Sequence, residues 1–77
     1  MNKERRKRIE AIMDALSQAY GEIEEIRDEE EDAYDNLPEN FQEGSRGDAM
    51  QDAIDNMETA LAAVEEAKDT LEEVINA

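Results

Sequence analysis

Apolar residues recur along this chain at helical spacing through two long stretches. With Ile9 set at position a of a heptad, position a reads Ile9, Leu16, Ile23, Glu30 and Leu37. Position d reads Ile12, Ala19, Ile26 and Ala33, and position e reads Met13, Tyr20, Arg27 and Tyr34. Only Arg27 and Glu30 interrupt the stripe, and the remaining positions are mostly acidic, as in an amphipathic helix. A second stretch repeats the pattern with Met50 at a. Its a column is Met50, Met57, Val64 and Leu71, its d column Ala53, Ala60, Ala67 and Val74, and its e column Ile54, Leu61, Lys68 and Ile75.

Between the two lies Asn36-Leu37-Pro38-Glu39-Asn40-Phe41-Gln42-Glu43-Gly44. Proline cannot continue a helix and pushes the residue before it out of helical geometry. The pattern therefore predicts one domain over residues 1–77: a first helix over about 3–35, a loop over 36–45 and a second helix over about 46–76. Pro38 to Gln42 suits a single helical turn, with Phe41 plugging the end of the core. Ser45 is the expected cap of the second helix, with Asp48 three residues on as an acidic variant of the capping box. No stretch alternates as a strand does.

Two long helices on a short connection pack antiparallel, so the fold class is all-α, a coiled-coil-like two-helix hairpin. The alanine-rich d column is expected to bring the helix axes close. A two-helix seam needs only a and d, whereas this stripe is three positions wide, the width found in bundles. The surplus is the e column. A lone hairpin would leave Met13, Tyr20, Tyr34, Ile54, Leu61 and Ile75 partly wet, so these six are the expected dimer interface, joining two hairpins into a four-helix bundle; the alternative expectation is an elongated monomer with an apolar edge. Met13, Met50 and Met57 read as core filler.

Charge is the most prominent feature of the composition. The net charge is −15 over 77 residues, and it is unevenly placed. Lys3, Arg5, Arg6, Lys7 and Arg8 crowd the start, while residues 9–77 hold 3 basic against 22 acidic residues, a net −19. Low hydropathy with such charge often means disorder, but a disordered chain has no reason to hold heptad register through four turns of the pattern.

There is no cysteine and no histidine, which removes disulfides, thiolate metal sites and the commonest general base. No apolar run approaches a membrane span, and no signal-peptide core follows the basic start. The expected location is the cytoplasm. Asp28 to Glu39 aligns with a calcium loop, with Asp28, Glu30, Asp32, Asn36 and Glu39 at ligand positions, but Ala33 stands where the turn requires glycine. The spacings Glu22-x-x-Glu25 and Glu66-x-x-Asp69 resemble the magnesium-holding pairs of all-α nucleotide pyrophosphatases in that spacing alone. In a chain this acidic such spacing arises by chance. No enzyme activity, cofactor or metal is expected. Arg27 and Glu30 read as a polar break in the seam, pairing with Lys68 or a partner chain to fix register. The basic start reads as a clamp onto Asp69, Glu72, Glu73 and the negative end of the second helix. Nucleic acid itself is not an expected partner, because the body would repel it.

The body's −19, spread over a helix of about 46 Å, gives one charge per roughly 2.4 Å, against about 1.7 Å for duplex DNA. That density predicts a DNA-like surface for a basic, nucleic-acid-binding protein. The expected contact residues lie outside the stripe, near the middle and loop end: Glu22, Glu25, Asp28, Glu29, Asp32, Asp35, Asp52, Asp55 and Glu58. The rival expectation is a structural adaptor that binds a partner helix through its apolar edge. The stretches Met1-Asn2-Lys3-Glu4-Arg5-Arg6-Lys7-Arg8-Ile9, Tyr34-Asp35-Asn36-Leu37-Pro38-Glu39, and Ser45-Arg46-Gly47-Asp48 running into Ala53-Ile54-Asp55-Asn56 resemble small acidic helical proteins of bacteriophages and mobile elements of Gram-positive bacteria. That resemblance implies a host-cell cytoplasmic setting and a host-directed inhibitor, including a DNA mimic acting on a defence nuclease.

Overall fold

The computed structural model describes residues 1–77 and is helical with no strand. Helix α1 spans Lys3–Asp35, a short α2 spans Glu39–Gln42, and α3 spans Ser45–Ile75. At 1.5 Å per residue α1 alone is about 50 Å long, yet the whole molecule measures only 58 × 15 × 12 Å. Helix α3 therefore runs back along α1, against which it packs. The fold is a helical hairpin.

The ends of the elements follow local chemistry. Asn2 caps α1, its side-chain oxygen accepting from the Arg5 backbone N–H at 2.8 Å, and so satisfies one of the orphan donors of the first turn. Pro38 stops α1 and opens α2, whose single turn is closed by Phe41 and Gln42 N–H groups donating to the Pro38 carbonyl at 2.9 and 3.1 Å. The Gln42 side-chain amide reaches back and donates to the Tyr34 carbonyl at 3.0 Å, which also accepts the Leu37 backbone N–H at 3.0 Å, so the turn is tied to the end of α1. Ser45 is not the cap of α3. Gly44 holds that position in extended geometry without a side-chain bond, and Ser45 is already the first helical residue. Asp48 does lie in the first turn, where its charge suits the helix dipole.

The seam departs from expectation in one column. Covered or half-covered positions of the a and e columns are Ile9, Met13, Leu16, Tyr20, Ile23, Arg27, Glu30 and Tyr34 in α1, with Leu37 just after it, and Gly47, Met50, Ile54, Met57, Leu61, Val64, Lys68, Leu71 and Ile75 in α3; Ala19, Glu24, Glu31, Ala53 and Val74 are half-covered beside them. Both sets step four and three in strict alternation. They are the a and e columns, not a and d. Ile54 and Leu61, expected at a wet edge, are the two buried apolar side chains, at 3% and 4% exposure. The d column lies at the margin of the seam: Ile12 and Ile26 are 52% and 54% exposed, Ala33, Ala60 and Ala67 are exposed, and Ala19, Ala53 and Val74 are half-covered. Alanine on d therefore does not set the distance between the axes.

Side-chain size explains the choice. Column e offers Met13, Tyr20, Tyr34, Ile54, Leu61 and Ile75, whereas column d offers mainly alanine, and stabilisation grows with apolar area removed from water. The cost is that Arg27 and Lys68 enter the seam margin. Both are long enough to lay their alkyl stems across it and leave their charged heads in water. A further expectation fails at the loop. Phe41 does not plug the core; it is 47% exposed. The buried residue there is Gly47, where α3 passes so close to the end of α2 that a Cβ would run into the Gln42 carbonyl.

Candidate functional site

The register of the hairpin places the charges. Glu31, Tyr34 and Asp35 of α1 line one shallow groove together with Gln51 and Ile54 of α3. Stepping by heptads from Tyr34 beside Ile54 sets Arg27 opposite Leu61, Tyr20 opposite Lys68 and Met13 opposite Ile75. In an antiparallel pair the columns of the two helices turn in opposite senses, so the same column letter falls on the same broad side of the hairpin. The shared groove shows this, since Glu31 and Gln51 both occupy position b.

One broad face is consequently acidic. Columns b and f contribute Glu10, Asp14, Glu24, Asp28, Glu31 and Asp35 from α1, and Asp48, Asp55, Glu58, Glu65, Asp69 and Glu72 from α3. The opposite face, columns d and g, holds Ala49, Ala53, Asn56, Ala60, Ala63 and Ala67 along α3, with Arg46 its one charge at the loop end, and Ile12, Ala15, Ala19, Ile26 and Ala33 along α1, broken by Glu22 and Glu29.

All nine acidic residues expected to contact a partner are exposed, but they do not share one surface. Asp28, Asp35, Asp55 and Glu58 stand on the acidic face. Glu25, Asp32 and Asp52 sit on the outer ridges at position c, and Glu22 and Glu29 border the uncharged face. Glu24 and Glu31, both half-covered on the acidic face, were missed, because which outer columns share a face depends on which columns form the seam.

Almost none of this charge is neutralised. The molecule has a single ion pair, Arg27 to Asp28 at 3.0 Å. The Asp28 carboxylate accepts from both Nε and Nη2 of Arg27. That hydrogen bond raises the Arg27 pKa above its usual value, with the Asp28, Glu31 and Glu58 charges adding to it against a smaller opposing effect of burial. Arg27 thus pairs along its own helix rather than across the seam, and Lys68 and Glu30 make no ion pair.

The expected clamp at the basic start is also not closed. No residue from Lys3 to Arg8 pairs with Asp69, Glu72 or Glu73. Register gives the reason: Met13 lies opposite Ile75, so residues 1–10 extend past the end of α3, and residues 1–8 are all exposed. This overhang carries a shallow groove lined by Met1, Arg5, Arg8, Ile9 and Ile12.

No set of three or more acidic side chains converges as metal ligands, and the segment aligned with a calcium loop is helical from Asp28 to Asp35. No helix is long and apolar enough to cross a membrane. Compared with protein-family models, with curated proteins and with solved structures, the chain matches none of them.

Proposed function

We propose that the protein is a non-enzymatic binding protein whose acidic face occupies the basic groove of a nucleic-acid-binding protein in place of nucleic acid. The observation that carries this reading is the gathering of carboxylates from both helices on one broad side, all but Glu24 and Glu31 exposed and almost free of cationic partners. A face that served only solubility would have no reason to be one-sided. Like charges held this close repel one another and destabilise the compact state, while a field of one sign speeds and orients encounter with a basic partner. The resemblance to acidic helical proteins of phages and mobile elements points to a host defence nuclease as the target, met in the host cytoplasm. Pairing of two hairpins into a four-helix bundle belongs to the same reading, since it would double the acidic surface.

The adaptor reading draws support from the exposed Ile12 and Ile26. Its apolar surface would be the d column, because Ile54 and Leu61 of the e column are buried within the chain.

The two readings part on salt and on competition. Immobilised protein should capture DNA-binding proteins from bacterial lysate, and both duplex DNA and 0.5 M salt should release them, given a screening length that falls below about 5 Å. The variant Asp35→Asn/Asp55→Asn/Glu58→Gln should capture far less. Capture indifferent to salt, to competing DNA and to the triple variant would overturn the acidic-face reading in favour of the adaptor.

A further inference from the structure

The uncharged face of the hairpin does not end where α3 ends. Columns d and g continue into the overhang as Met1, Arg5 and Arg8, which together with Ile12 line its groove. So one side of the molecule presents an apolar and small-residue surface whose first tenth is basic, while the same surface near the loop is flanked by acid. Thr70 on this face ties its hydroxyl to its own helix, donating to the Glu66 carbonyl at 2.9 Å. Within the single chain only Ile54 and Leu61 are buried apolar side chains, a small core for a chain of 77 residues, since small domains are marginal unless oligomerisation or another staple adds to the core.

We infer that a second copy of this chain docks on this face, antiparallel, with the loops at opposite ends. Two arrangements lay the faces together with two-fold symmetry. If the loops lie at the same end, the two basic overhangs meet each other, and so do the two acidic loop ends. If the hairpins are reversed, the overhang of each copy covers the loop-end third of the other. Arg5 and Arg8 then come over the region of the partner's Glu29 and the partner's Asp32. Charge selects the second arrangement. A face 58 Å long and 15 Å wide is of the size that each partner contributes to a standard interface, about 800 Å². The acidic b and f columns of both copies stay outside. The overhang, which finds no partner in its own chain, finds one in the other.

The experiment uses the full chain, which has no cysteine, so one introduced thiol takes a label cleanly. Light scattering should give twice the chain mass at tens of micromolar, and a mass that stays monomeric into the millimolar range overturns the inference. Spin labels at Glu4→Cys should lie about 45–55 Å apart across the dimer, from 1.5 Å per residue on either side of a two-fold axis near the middle of α1. A separation within roughly 30 Å, as the loops-together bundle would place them, overturns it too. The variant Arg5→Glu/Arg8→Glu should weaken the dimer about tenfold, with Lys7→Glu on the opposite side of the overhang as its control. Because these residues are exposed and lie beyond α3, helical content by circular dichroism should be unchanged in both. A dimer unaffected by the double reversal contradicts the proposed orientation.

Discussion

The two ends of the hairpin are built on different terms. At the loop end three devices hold the turn: Pro38 stops α1, Gln42 ties its side chain to the Tyr34 carbonyl, and Gly47 lets α3 pass against the backbone of Gln42. Ile54, one of the two buried apolar side chains, lies just beyond. At the open end α1 runs on alone, its first residues exposed and its cations unpaired within the chain. The loop end carries what a single chain needs in order to fold back on itself. The open end carries a run of exposed cations that form no ion pair.

Truncating one isoleucine at each end gives the largest contrast. Ile54→Ala should cost ~2–5 kcal/mol, the range for large-to-small changes in a core. Ile12→Ala, on an exposed side chain, should stay within about 0.5 kcal/mol in the dilute monomer. Thermal melts at low concentration check both, and equal losses would mean that the ends are equally packed.

A smaller contrast comes from two glycines, each replaced by alanine. At Gly47 the new methyl meets the Gln42 backbone, so Gly47→Ala should destabilise by ~1–3 kcal/mol as overpacking does. At Gly21 nothing lies within 4 Å of the new Cβ, and Gly21→Ala should stabilise α1 by about 1 kcal/mol through helix propensity. Opposite shifts in melting temperature are expected. The same sign for both would show that the α2–α3 approach is not close.

The helices and the turn were legible in the sequence, because heptad spacing and Pro38 fix them almost independently of packing. Which columns meet was not, since d and e score alike when apolar positions are merely counted. Reading it required weighing Tyr20, Leu61 and Ile75 against alanine, and accepting Arg27 and Lys68 as residues that cover a seam without burying their charge. Gly47 did leave a signal: a glycine three residues into a helix is disfavoured unless something lies too close for a side chain. Phe41 was misplaced because an aromatic residue in a turn of one helical loop has two sides to choose from, and Gly47 had already closed the inner one. The exposure of the nine acidic residues followed from their lying outside the stripe. Their division between faces did not, because it depends on the seam.

The seam column is the claim on which the acidic face, the uncharged face and the overhang all rest. Two single-cysteine variants, Ala60→Cys and Leu61→Cys, test it through the rate of thiol modification in dilute folded protein. Ala60→Cys should react at close to the rate of a free thiol and become protected only as concentration rises and a second copy covers it. Leu61→Cys should be at least about tenfold slower at every concentration, reacting only through opening of the hairpin. A protected Ala60→Cys beside a freely reacting Leu61→Cys in dilute protein would place the alanine column in the seam and contradict the account.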